Sequence, residues 1–250
     1  MNDFDCFAMS KQGVENEANE DFAWVEPEIG VFGVADGVGG GPGGAQASRT
    51  ALMSFVEGVR SLEPPCRLDE LQLRRILTVV NNNLRHLSTS DPLLSGMGTT
   101  LSVAILTGAK GKVVHIGDSR VYLLRAGKLR QITHDHTLVA ELLERDHLTA
   151  EEAKCFPLRH LLSRCLGTRD SVEPDFAELD LSQDDWLILA SDGVTKALSL
   201  DQLLAVATAA EIANARDLCE RIMLAALAKP PQDDVTAVVV RQQTKCCARV

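Results

Sequence analysis

Aromatic residues are scarce in this chain: seven Phe, two Trp and one Tyr make up 4% of its 250 positions. It therefore offers no stacking platform for bases, and no Lys/Arg cluster that could track a phosphate backbone. The formal net charge of −10 points the same way. No apolar run approaches the roughly 18 residues a membrane span requires. The opening MNDFDCFAMS carries acids where a signal peptide needs basic residues and an apolar core. The expectations are no nucleic-acid partner, no membrane and a cytoplasmic location. The seven cysteines are odd in number and form no C-x-x-C, which suits a reducing compartment with most thiols buried as small hydrophobes. Linkers, internal repeats and low-complexity segments are also missing. The ending CARV fits a prenylation box poorly, since Arg249 stands where an aliphatic residue belongs, so residues 244–250 read as a frayed tail.

What is present is alternation. Short apolar or alternating runs predict strands at DFDCFAM, DFAWV, GVFGVA, TTLSVAIL, KVVHIG, RVYLLRA, KLRQIT, DFAELDL, DWLILA and VTAVVV. Ala126-Gly127 reads as a tight hairpin turn between two of them. Three stripes carry helical spacing: Ala45, Ser48, Leu52, Phe55, Val56 and Val59; Leu73, Ile76, Leu77, Val80, Leu84 and Leu87; Ile212, Ala215, Cys219, Ile222 and Ala226. A doubly wound sheet would alternate strand and helix at each step. This order instead groups strands and adds helices in pairs, which predicts an α+β layered sandwich of antiparallel sheets. Residues 136–166 stand apart as a small helical flap insert, with a capping box, TAEE, at Thr149 to Glu152.

The chemical signal is a recurrence of aspartate at strand ends. Asp36, Asp118 and Asp192 each follow a hydrophobic strand, and Asp233 with Asp234 precedes the last one. One Asp-Gly reads as a turn. Four such acids in a sandwich can converge, and converging carboxylates raise one another's pKa unless cations sit among them. A site of carboxylates, carbonyls and water without Cys or His suits Mg²⁺ or Mn²⁺. The competing pattern is Gly39-x-Gly41-x-x-Gly44, a match to the dinucleotide fingerprint. It lacks the βαβ unit that fingerprint needs: Glu57, 18 residues after Gly39, lies in a helical pattern instead of at the end of a second strand.

Taken in order, NEDFAWV (19–25), VADGVGG (34–40), MGTTLSVAIL (97–106), HIGDSRVYLLRAGKLRQITHDHTLV (115–139), LRHLLSRCLG (158–167), LILASDGV (187–194) and DDVTAVVV (233–240) resemble the metal-dependent PPM, or type 2C, Ser/Thr protein phosphatases of the compact bacterial kind. The resemblance implies a four-layer αββα sandwich, two antiparallel sheets flanked by helix pairs, as one catalytic domain over 1–243. It implies a protein-serine/threonine phosphatase that uses two or three Mn²⁺ or Mg²⁺ ions. A hydroxide bridging two ions roughly 4 Å apart would attack phosphorus in line. By position, Asp36 bridges two metals and the Gly37 carbonyl binds one. Asp192 and Asp233 complete the first shell, Asp118 with Asp192 holds a third ion, and Asp21 and Glu20 fall at second-metal or water-mediated positions. The implied partners are phosphorylated proteins made by a Ser/Thr kinase, met by a monomer.

Three departures stand out. The family's final Asp-Asn is Asp233-Asp234 here, which adds an acid beside the site. Asn16 occupies the place of a phosphate-gripping arginine, with Arg49 and Lys11 as candidate replacements. Gly41 and Pro42 stand where many bacterial members carry a histidine, leaving the leaving-group proton to a metal-bound water. The last two departures motivate an alternative, a catalytically weak or inactive member that binds phosphoproteins without turnover. Around the site, His136 is expected to be a structural hydrogen-bonder and His115 a core histidine. Thr99 and Thr100 are expected to bond within their strand, and Arg120 to be a buried partner for a carboxylate.

Overall fold

The alternation in Trp186–Ala190 shows how the layers arise. In this strand Trp186, Ile188 and Ala190 pack with helices, whereas Leu187 and Leu189 pack against the opposite sheet. A strand apolar on both faces must lie between two layers, because each face removes its own side chains from water. The same division recurs in the neighbouring strands, so three separate hydrophobic clusters form: helix on sheet, sheet on sheet, and sheet on helix.

The computed structural model describes residues 4–14, 16–38, 42–209, 211–228 and 233–243. The tail at 244–250 and the glycines at 39–41 lie outside the described residues, as does the side chain of Pro42. The strands are β1 (Phe4–Lys11), β2 (Asp21–Glu26), β3 (Val31–Val38), β4 (Gly98–Thr99), β5 (Leu101–Thr107), β6 (Lys110–Ile116), β7 (Arg120–Arg125), β8 (Lys128–Gln131), β9 (Asp175–Asp180), β10 (Trp186–Ala190) and β11 (Val235–Gln242). One sheet has the order β1-β11-β10-β7-β8. The other runs β2-β3-β5-β6-β9, with β4 paired to β3. All the described pairings are antiparallel.

Helices α1 (Pro42–Arg60) and α2 (Glu70–Ser90) cover the second sheet, burying Leu52, Phe55, Val59, Leu73, Leu77 and Leu84 against β3, β5 and β6. On the far side, α5 (Asp192–Ala197), α6 (Leu200–Thr208) and α7 (Ala215–Ala226) cover the first sheet. The expected α+β sandwich of two antiparallel sheets between helical layers is the fold observed. Within residues 136–166 lie α3 (Leu138–Glu144) and α4 (Ala150–Lys154), and the Thr149–Glu152 capping box forms as expected.

Local differences have local causes. The strand expected from Thr99 is interrupted at Thr100, whose N–H donates to the Asp36 carbonyl at 2.9 Å, so β4 and β5 pair with β3 separately. Helix α7 begins after Asn214, whose side chain accepts the Asp217 N–H, and Ile212 precedes it. The helix α5 directly after Ser191 was not foreseen. The Ala126-Gly127 turn is present, with φ of 48° and 71°, the left-handed pair that a two-residue hairpin of right-twisted strands requires.

Asn81 fixes the loop that returns from the flap. Its amide donates to the carbonyls of Arg169 and Asp170, and its oxygen accepts the Gly167 N–H at 2.8 Å. Asn81→Ala would leave the buried Gly167 N–H without a partner and release the carbonyls of Arg169 and Asp170. Urea unfolding should show a loss of about 2–3 kcal/mol, with an unchanged m-value.

Candidate active site

Strand parity gathers the acids. Phe32 and Val34 of β3 point between the sheets, so Asp36, two residues on, points the same way at the sandwich edge. Asp21 is its register partner on β2 and shares that face. Leu187 and Leu189 set the same direction for Ser191, whose hydroxyl donates to Asp21 Oδ2 at 2.7 Å. Asp192 then opens α5, Asp118 follows β6, and Asp233 lies two residues before β11. The charges of Asp21, Asp192, Asp118 and Asp233 all bear on Asp36, so the five carboxylates share this edge.

Burial and crowding shift their titration. Burial first, then the charges of Asp192 and Asp234, push Asp21 up to about 7 against the hydrogen bonds from Thr236 and Ser191. Asp118 also rises to about 7, through burial and then Asp192. Asp36 is held well above the usual carboxylate range by burial and four neighbouring acids. Asp192 is raised by burial despite Lys196, whose ammonium lies 2.5 Å from its Oδ2. The same ammonium lies 2.7 Å from Asp233 Oδ2. Asp233 is held low nonetheless, because with 38% of its side chain exposed, against 16% for Asp192, the attraction outweighs its burial cost.

Backbone clamps hold these acids in place. Thr100 accepts the Asp36 N–H on its hydroxyl at 2.9 Å, and Thr99 donates its hydroxyl to the Asp36 carbonyl at 2.9 Å. The two threonines thus bond across to β3 rather than only within their own strand. Gly37 is required by close approach: a Cβ there would run into the backbone of Gly44 in α1. The crowding lies at the start of that helix. Glu20 lies beside Gly44, and its carbonyl accepts the Gly37 N–H at 3.1 Å.

Asp234 has a different role from the one its position suggests. Its two oxygens accept the N–H groups of Gly13 at 2.8 Å and Glu20 at 2.6 Å. It is a buried staple for the loop that carries Asn16, and not a further free acid beside the site. Nothing in the one-dimensional pattern separates it from Asp233; the inward parity of β11 does. Asn16 Nδ2 reaches Asp233 Oδ1 at 3.5 Å, so it borders the cluster. Arg49 does not: it lies over the Phe22 ring at 4.5 Å, on the helix-covered side of β2. Lys11 is exposed at the end of β1.

The remaining expectations agree with the geometry. Arg120 makes a two-pronged pair with Asp135, with contacts of 2.6 and 2.9 Å. His136 accepts the Gly117 N–H at 3.1 Å and returns its own N–H to the Gly117 carbonyl at 2.7 Å, a structural bond. His115 is buried against it and bonds Ser102 and the His134 carbonyl; burial drives it down to about 4, so it is neutral. Lys196 was not singled out in the sequence, although its i+4 spacing from Asp192 on a helix would have placed it on the same face.

The donors suit a hard divalent cation. Asp21 Oδ1 and Asp192 Oδ1 are buried with no hydrogen-bond partner among the described residues. A buried carboxylate oxygen in that state is costly unless a cation reaches it. The site offers oxygen alone, the preference of Mg²⁺ and Mn²⁺. Among the described residues no three acidic, Cys or His side chains are already drawn into a ready-made metal cage.

An antiparallel double sandwich that gathers oxygen-only acids at one edge is the architecture of the phosphatases it superposes on. The family model for protein phosphatase 2C matches residues 13–229, and the chain belongs to that phosphatase family. It is 34% identical over 178 residues to protein phosphatase PhpP of Streptococcus pneumoniae, covering 70% of this chain and 71% of the relative. The serine/threonine protein phosphatase PstP of Mycobacterium tuberculosis is 34% identical over 232 residues; the match spans 93% of this chain but only 44% of PstP. The crystal structure of that phosphatase (PstP/Ppp) superposes with a TM-score of 0.87 at 32% identity, over 96% of this chain and 99% of the solved one. A further structure, the PstP catalytic domain in complex with two manganese ions, gives 0.84 at 30% identity, over 96% and 99%.

Asp21→Asn separates stability from function at this edge. A carboxyl raised from its unfolded value near 4 to about 7 binds more protons folded than unfolded between those values, so its contribution to stability falls as pH rises through them. In EDTA the Asn variant should therefore melt higher than the parent. The gap should open above about pH 4 and level off beyond pH 7. Thermal scans across that range check it.

Proposed function

We propose that this chain hydrolyses phosphoserine and phosphothreonine in proteins with the help of two or three Mn²⁺ or Mg²⁺ ions. The observation that carries the reading is the edge of buried and half-buried, mutually repelling carboxylates, two of whose oxygens are buried without partners among the described residues, in a chain of the phosphatase 2C family. In this reading residues 1–243 act as one catalytic domain, with 136–166 as its flap. Asp36 and the Gly37 carbonyl, Asp192 and Asp233 hold the principal ions. Asp118 with Asp192 holds a weaker third, and Asp21 and Glu20 serve the second. Bound ions would supply the positive charge that offsets both the acids and the phosphoryl oxygens, and would acidify water for attack on phosphorus.

The chain's own groups do the positioning. Thr99 and Thr100 hold the Asp36 peptide, Ser191 turns Asp21 toward the cluster, and Asp234 fixes the loop bearing Asn16. Asn16 can offer its amide N–H to a phosphoryl oxygen at the mouth. The Asp118–Asp192 side opens onto a groove of about 300 Å³ whose other wall is the flap, through Thr137, Val139, Lys154, Arg159 and His160. A groove of that size takes a few peptide side chains. The partners are then phosphoproteins produced by a Ser/Thr kinase, met by a monomer in the cytoplasm; among the described residues no helix is long and apolar enough to cross a membrane.

Hydrolysis of p-nitrophenyl phosphate and of a phosphothreonine peptide should require Mn²⁺ and stop in EDTA. Asp192→Ala should lower kcat/KM by roughly a hundredfold or more, since several kcal/mol of charge stabilisation goes with it. Turnover that is absent in Mn²⁺, or equal in the variant, would overturn the reading and leave a phosphoprotein-binding role. Because carboxylates must lose protons to hold an ion, the rise in Tm produced by Mn²⁺ should grow between about pH 5.5 and pH 7.5, the range below and through the raised values of Asp21 and Asp118.

A further inference from the structure

Lys196 occupies an unusual position for a cation. It stands one helical turn after Asp192 on α5, and its ammonium bridges Asp192 Oδ2 at 2.5 Å and Asp233 Oδ2 at 2.7 Å. These carboxylates come from opposite ends of two neighbouring strands, β10 and β11, so the lysine ties together groups that repel. It holds only one oxygen of Asp192; the other is buried without a partner among the described residues. The second oxygen of Asp233 accepts the Asp234 backbone N–H at 2.9 Å, and the neutral Asn16 amide reaches it at 3.5 Å. The lysine side chain is 35% exposed and lines the groove under the flap, beside Arg159 and His160.

We propose that Lys196 is an exchangeable internal cation: it closes the Asp192–Asp233 pair in the metal-free protein, a divalent ion must displace it to bind there, and the displaced ammonium becomes the positive charge that meets the phosphoryl group. The inference rests on the assignment of Asp192 and Asp233 as metal ligands. A single ammonium and a divalent ion cannot share the same oxygens, since like charges at contact distance repel strongly where water is partly excluded. The ion wins because it brings two charges and reaches the oxygen the lysine leaves unpartnered. A four-carbon stem rooted on α5 keeps the released ammonium at the groove, where it can turn from the carboxylates to an incoming dianion. Asn16, the other side chain on Asp233, carries no charge with which to do this.

Lys196→Met keeps the stem and removes the charge. Calorimetric titration of Mn²⁺ alone into the EDTA-stripped, dialysed protein should show roughly three- to tenfold tighter binding for the variant, the scale expected for losing one competing, partly exposed cation. In the Mn²⁺-loaded protein, inorganic phosphate should bind several-fold more weakly to the variant, and KM for a phosphothreonine peptide should rise more than kcat falls. Lys196→Arg should stay near the parent in both titrations, which separates charge from shape. Unchanged or weaker Mn²⁺ binding in Lys196→Met, with a normal circular dichroism spectrum, would overturn the exchange. Unchanged phosphate affinity would overturn the second half. If the parent binds no Mn²⁺, or binds it as well when Asp192 is replaced by Asn, the metal assignment itself fails and the inference falls with it. Should Lys196→Met not fold, Lys196→Gln takes its place in the same titrations.

Discussion

The repulsion among buried and half-buried carboxylates at one edge of the sandwich is the constraint that the rest of this molecule answers. Asp21, Asp36, Asp118 and Asp192 are each pushed toward the neutral form, chiefly by burial and then by neighbouring charge in all but Asp192, where Lys196 opposes it. A fold under no functional demand would relieve this by turning the side chains out to water. Here the strands forbid it. Parity fixes Asp36 and Asp21 on the inter-sheet face, and turning either outward would shift the whole apolar register of β3 or β2 to the wrong layer. The hydrophobic alternation that builds the core is therefore also what compels the acids to meet.

Holding them there takes hydrogen bonds that ordinary secondary structure does not supply. Ser191 sits at the N-cap of α5 yet makes no side-chain cap bond; its hydroxyl goes to Asp21 and its oxygen accepts the Thr236 N–H at 3.0 Å. The helix gives up roughly 1 kcal/mol of capping so that β2, β10 and β11 can be joined at the site. Thr100 interrupts its own strand for a similar purpose, reaching the Asp36 peptide on one side and Ser119 on the other. Gly193 completes the approach of α5 to β11, where a Cβ would meet the Asp234 carbonyl. Each of these is a local departure from regularity, and each departs toward the same edge.

Much of this was readable beforehand because sheet interiors leave a strong trace. Runs such as Trp186–Ala190, apolar at every position, can only be strands buried on both faces, and that already implies helical layers outside. The aspartates were legible for the same reason, since they end those runs. What stayed hidden depended on which side of a strand, or which turn of a short helix, a residue occupies. Asp233 and Asp234 are adjacent and chemically identical, yet one faces the cluster and the other staples a loop through two backbone N–H groups. Arg49 was a candidate to replace the missing arginine, but α1 turns it onto Phe22. Lys196 went unnoticed because α5 has six residues, too few to leave a periodic pattern, and only its helical turn carries the lysine back over Asp192.

The overall charge of −10 acquires a different meaning in this light. A protein this acidic repels a phosphoryl dianion at long range, so its field cannot be what draws the substrate in. Attraction must be short-ranged, built into the edge itself and switched on by whatever cations reside there. The flap wall of the groove carries two positive groups, Lys154 and Arg159, across from Asp118 and Asp192; burial and the neighbouring cations Lys196 and Arg159 hold His160 low. Screening at physiological salt confines the reach of exposed charges to about 8 Å, so such groups act on an anion already at the mouth and not on one in bulk. In the proposed reading, selectivity then lies in the last few ångströms, where cations seated among the carboxylates would decide whether the mouth repels a phosphate or holds it.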